Sequence, residues 1–91
     1  MNVTDRRTLP RYKVSGYANR IALEHIGARI ACVREAAGLT MAEMARRTGM
    51  TMNAIANAER GSSISLMAVV RIAKALGVKV DELIPEGLIH D

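Results

Sequence analysis

The stretch that decides the fold is Thr40-Met41-Ala42-Glu43-Met44-Ala45-Arg46-Arg47-Thr48-Gly49-Met50-Thr51-Met52-Asn53-Ala54-Ile55-Ala56-Asn57-Ala58-Glu59-Arg60-Gly61. It opens with a capping box: the Thr40 hydroxyl is placed to accept the Glu43 amide, and the Glu43 carboxylate to reach back to the Thr40 amide. The helix so started runs through Arg47 and ends at Thr48-Gly49, where glycine supplies a positive φ without Cβ strain. Thr51 caps a second short helix, Met52 to Arg60, which Gly61 ends. Neither helix is long enough to be stable alone, so tertiary packing must hold both. Ala45 sits where the two approach, because a larger side chain would push them apart. Ile55 faces inward against Met44 and Met50, and Ala58 continues that face one turn later. A pair joined this tightly projects its second member outward, with the first turn of that member exposed.

Working outward, apolar periodicity begins near Ile21. Ile26, Ile30, Val33 and Ala37 follow steps of three and four, making one face of a helix that stops at Gly38. After the polar link Ser62-Ser63-Ile64, Ser65 caps a further helix with the stripe Leu66, Val69, Ile72, Ala73 and Leu76, ended at Gly77. Lys79 to Ile84 reads as a short fifth helix before Pro85, which cannot continue one. The sequence therefore predicts an all-α fold of five helices in residues 21–84, with a basic arm at 1–20 and a tail at 85–91. Connections of two to five residues imply compact packing.

Composition agrees. Of 91 residues, 49% are hydrophobic, with no Phe, no Trp and two Tyr, so the core must come from aliphatic residues, Met and Ala. No apolar run approaches the roughly 20 residues of a membrane span, and the first residues lack an apolar signal-peptide core. The expectation is a cytoplasmic, nucleoid-associated chain. Cys32 is the only cysteine, which excludes an intramolecular disulfide; it reads as a small buried apolar residue. His25 and His90 are too isolated for a metal site, and Ser62, Ser63 and Ser65 have no His–Asp partners. No metal or cofactor, and no catalysis, is expected. The net charge of +4 is uneven: before Ile21, Arg6, Arg7, Arg11, Lys13 and Arg20 meet one acid, Asp5, whereas from Ile21 onward eight bases and eight acids balance. A neutral helical body with a basic arm is one footprint of nucleic-acid binding.

The segments IGARI (26–30), REAAGLTMAEMA (34–45), TGMT (48–51), IANAERG (55–61) and LMAVVRIAKALGVKVDEL (66–83) together resemble the Cro/phage-repressor (XRE-type) helix-turn-helix domain, in unbroken register over about two-thirds of the chain. The resemblance implies a compact five-helix lambda-repressor-like domain with its helix-turn-helix at 41–60. The implied partner is double-stranded DNA, the implied assembly a homodimer, and the implied role transcriptional regulation. The exposed turn would enter the major groove, roughly 12 Å wide.

Carried over position by position, the resemblance implies base contacts from Met52, Asn53 and Asn57, with Ala54 and Ala56 nearby. It implies phosphate contacts from Thr51, Arg60, Ser62 and Ser63, and from the backbone amide of Met41, a position most often Gln in the family. Arg34 and Glu59 fall where many members form a pair linking the first helix to the end of the third, and Arg34 is also a candidate for phosphate. The sequence departs from the pattern at Met41 and Met52, commonly polar. Methionine can meet a thymine methyl but cannot hydrogen-bond a base edge, whereas Asn53 and Asn57 keep amide chemistry suited to adenine. Arg46, Arg47, Arg71 and Lys74 read as solvated faces. The expected function is a sequence-specific repressor bound to a palindromic operator as a homodimer. The alternative is a protein-binding module on the same fold, an antitoxin or antiactivator whose possible protein partner would meet Met41 and Met52.

Overall fold

Local capping chemistry and apolar spacing divide the chain into four α-helices: α1 (Gly16–Ala36), α2 (Met41–Thr48), α3 (Met52–Arg60) and α4 (Leu66–Leu76). A single 3₁₀ turn, Val80–Glu82, follows. These elements come from a computed structural model, which describes residues 16–62 and 64–84. Among the described residues there is no strand, and no helix is long and apolar enough to cross a membrane. The all-α class expected from the sequence is the class observed, and the helix-turn-helix occupies the expected residues.

The caps are those the side chains dictate. Thr40 Oγ1 accepts from the Glu43 amide at 3.1 Å, and Glu43 Oε1 accepts from the Thr40 amide at 2.8 Å. Thr51 Oγ1 accepts from the Ala54 amide at 3.0 Å, and Ser65 Oγ from the Ala68 amide at 3.1 Å. The buried apolar residues are Ile30, Met44, Ile55, Ala58, Val69, Ile72, Ala73 and Leu83. They draw on α1, α2, α3, α4 and the residue after the 3₁₀ turn, so one core joins every element. Ala45 and Met50 pack against it, as their places at the helix crossing imply.

The structure corrects four local expectations. The fifth helix is only the 3₁₀ turn. Few residues lie between Gly77 and Pro85, too few to nucleate an α-helix. Leu83 anchors the turn in the core, and Arg29 Nη1 donates to the Glu82 carbonyl at 3.0 Å. Ala37 lies past the end of α1, exposed in the turn. Cys32 is exposed, not buried: two residues after buried Ile30, it falls on the far side of α1, with His25, Ala28 and Arg29. Leu66, expected to begin the inner stripe of α4, is 71% exposed, because no described segment covers the first turn of that helix. Within the segment 1–20, α1 starts at Gly16, and residues 1–15 lie outside the described residues, as do 85–91.

Candidate nucleic-acid interface

The turn between α2 and α3 is built from backbone geometry and one hydroxyl. Gly49 takes φ 75°, and its amide donates to the Ala45 carbonyl at 2.9 Å. Thr48 Oγ1 donates to the Met44 carbonyl at 2.7 Å and accepts from the Met50 amide at 3.1 Å. This couples the last turn of α2 to the residue that leads into α3. The direction in which α3 leaves is thereby set before any ligand arrives.

The other end of α3 is held by α1. Arg34 Nε donates to Glu59 Oε2 at 2.5 Å and Arg34 Nη2 to Glu59 Oε1 at 3.1 Å, a bidentate pair with side chains 10% and 7% exposed. Arg34 Nη1 donates to the Leu39 carbonyl at 2.7 Å. One guanidinium thus ties together α1, the loop before α2 and the end of α3. The hydrogen bond to Glu59, foremost, raises the Arg34 pKa; burial works against it, and the charges of Glu59 and Glu35 reinforce it. These bonds take three of the five guanidinium N–H groups, which gives Arg34 a positioning role and leaves one N–H on each terminal nitrogen.

Two glycines let α1 come this close. A Cβ on Gly27 would lie 2.5 Å from the carbonyl oxygens of Ala58 and Glu59. At Gly61, where φ is 74°, a Cβ would lie 2.6 Å from Glu24 Cα. Sequence reasoning assigned no role to Gly27. Its signal was an isolated glycine inside a helical pattern, a mark of close backbone approach.

With Ile55 and Ala58 buried, the helical rotation of about 100° per residue fixes which side chains of α3 face away. Asn53, Asn57 and Arg60 fall within about 60° of one another, opposite the buried pair. Met52 and Ala56 occupy the neighbouring flank. Met52 is 53% exposed, Thr51 and Asn53 are exposed, and Ala56 and Asn57 are half-buried. Ala54 lies on the other flank, lining a shallow groove toward α4 with Met50, Ile64 and Ala68. The Arg60 guanidinium donates to Asn57 Oδ1. Ser62 is exposed, and both its amide and its hydroxyl donate to the Asn57 carbonyl at 3.1 Å, closing the end of the helix. Ser63 lies outside the described residues. The Thr51 oxygen is used as a cap, which leaves its O–H to donate outward.

The Met41 side chain packs against the core, while its amide, in the first turn of α2, has no intrahelical acceptor. Met41 is thus half-buried, whereas Met52 is 53% exposed. Arg47, Arg71 and Lys74, read as solvated faces, are exposed and line one open groove between α2 and α4.

This arrangement is a known one. The helix-turn-helix family model matches residues 33–83. The chain belongs to the Cro/phage-repressor (XRE-type) helix-turn-helix family. As a member it is a DNA-binding transcription regulator. Among solved structures, it is similar to the restriction-modification controller protein C.AhdI from Aeromonas hydrophila, with 31% identity and a TM-score of 0.65; the match covers 67% of this chain and 94% of that one. It is also similar to part of apo-HppE, with 27% identity and a TM-score of 0.65, over 70% of this chain and 36% of that one. Comparison with curated protein sequences gave no match.

Proposed function

We propose that this helix-turn-helix protein is a sequence-specific repressor that binds a palindromic operator as a homodimer. Half-sites would lie about one helical turn apart, and repression would work by occlusion. In this reading α3 enters the major groove. Met52, Asn53 and Asn57 face the bases, with Ala54 and Ala56 nearby. Thr51, Arg60, Ser62, Ser63 and the Met41 amide face the phosphates. Arg34 and Glu59 position α3, and the two remaining N–H groups of Arg34 serve a phosphate.

The observation that carries the reading is the division of α3 itself. Ile55, Ala58 and Glu59 are clamped against α1 and the core, while Thr51, Met52 and Asn53 stand exposed. A rigid rod with an uncovered leading turn suits groove entry, because affinity is not lost to ordering the helix on binding. The amides of Asn53 and Asn57 are the base-reading chemistry, each good bidentate pair being worth about 1–3 kcal/mol of discrimination.

The test is a selection from a random DNA pool with the purified chain, repeated with the double variant Asn53→Ala, Asn57→Ala. The wild type should enrich a two-fold symmetric site, and the variant, with an unchanged circular dichroism spectrum, should lose the preference. Equal enrichment by both proteins would remove the base-reading assignment. No enrichment by the wild type would favour the protein-binding alternative.

A further inference from the structure

Two parallel rows run along α3, one on its outward side and one on the adjoining flank. Asn53 and Asn57, four residues apart, form an amide row; Met52 and Ala56, also four apart, form an apolar row beside it. Arg60, the only cation of α3, stands at its last residue, and its guanidinium is turned back onto Asn57 Oδ1. The helix therefore offers amides and methyl-sized apolar surface at its exposed end, and no cationic fork.

The four base pairs differ in what they ask of such a surface. In the major groove a G·C pair presents two adjacent acceptors on guanine, best met by arginine or lysine. An A·T pair presents the acceptor and donor of adenine, matched by an asparagine amide, and beside them the thymine C5 methyl, matched by apolar surface. The juxtaposition of the amide and apolar rows fits only the second edge. We infer that the half-site bases under the first two turns of α3 are A·T pairs, with Met52 seated on a thymine methyl next to an adenine held by Asn53. This rests on the DNA-reading role proposed for α3.

Met52 is well made for the task. It is 53% exposed, so contact with the methyl removes apolar surface of both partners from water. Its unbranched thioether adapts to the position of a methyl group without fixed hydrogen-bond geometry. Arg60 occupies one lone pair of Asn57 Oδ1 and steadies the amide, which keeps a second acceptor site and both N–H groups for the next base pair.

The experiment uses the full chain and the site recovered from a random pool. Each thymine of that site is replaced in turn by uracil, which keeps the pairing and removes only the methyl. Affinities are measured for the wild type and for Met52→Ala. One uracil should weaken the wild type about fourfold, the size of one buried methyl, and leave Met52→Ala unaffected; Met52→Leu should keep the sensitivity. Three results overturn the inference. A recovered half-site with G·C at the contacted positions, or a wild type indifferent to every uracil, refutes methyl reading while leaving sequence-specific binding in place. A pool that yields no site overturns this inference together with the function it rests on.

Discussion

Replacing Gly27 by alanine sets two effects of opposite sign against each other. On α1 taken alone, alanine stabilises, because glycine in a helix interior costs about 1 kcal/mol relative to alanine. In the folded chain, the new Cβ would lie 2.5 Å from the carbonyl oxygens of Ala58 and Glu59 and 2.8 Å from the Glu59 carbonyl carbon. These are backbone atoms at the end of α3, so no side chain can rotate out of the way. Restoring ordinary contact needs α1 and α3 to part by roughly 0.9 Å, taking the van der Waals limit as about 3.4 Å. That separation stretches the Arg34–Glu59 pair, which bridges the same two helices. Overpacking against a rigid neighbour costs about 3 kcal/mol, the upper end of its usual range. Gly27→Ala should therefore lose about 2 kcal/mol net, a fall in Tm of roughly 8–16 °C for a domain of this size. The assay is thermal unfolding by circular dichroism, with Ala28→Gly as the control. Ala28 is exposed on the same helix, so that change isolates the propensity effect. A Gly27→Ala protein that melts at or above the wild-type temperature, while Ala28→Gly falls as expected, would refute the close-approach reasoning.

Other outcomes follow from the same geometry. Glu59→Ala leaves a buried guanidinium with only the Leu39 carbonyl and, at 3.6 Å, Glu35; urea unfolding should read a loss of about 3 kcal/mol, and a loss under about 1 kcal/mol would mean that Glu35 substitutes fully. The Thr40 amide, and after it the Thr40 side chain, hold the Glu43 carboxyl below the usual glutamate range, with Arg46 and Arg47 pulling the same way. A lowered folded pKa means stability that is present above the unfolded value and lost as pH falls through the folded one. The Tm advantage of wild type over Glu43→Gln should hold near neutrality and shrink as the pH falls below the ordinary glutamate pKa of about 4.3; a constant gap contradicts this. Removing residues 1–15, which include Arg6, Arg7, Arg11 and Lys13, should flatten the salt dependence of DNA affinity by about 0.9 in log–log slope per phosphate the arm neutralises. Identical slopes for the full and shortened chains would make the arm a bystander.

The sequence by itself determined where α2, α3 and α4 begin and end. Thr40 with Glu43, Thr51, Ser65, Gly49, Gly61 and Gly77 act within one turn of themselves, through hydroxyls, a carboxylate and the backbone. Such short-range chemistry works wherever the segment sits in the fold. The inward faces of α2 and α3 were legible for the same reason, since Met44, Ile55 and Ala58 follow from helical spacing. What only the tertiary structure decided depends on a second element arriving. Gly27 matters because the carbonyls of α3 press on it, and Arg34 is a positioning residue because Glu59 and the Leu39 carbonyl take three of its five N–H groups. Met41 turns to the core, and Leu66 is left uncovered, according to which neighbour reaches each. Periodicity states that a face is apolar; only packing settles what, if anything, covers it. The pairing of two rows on α3 lies between these cases: its spacing was in the sequence, but the burial of Ile55 and Ala58 turned it outward.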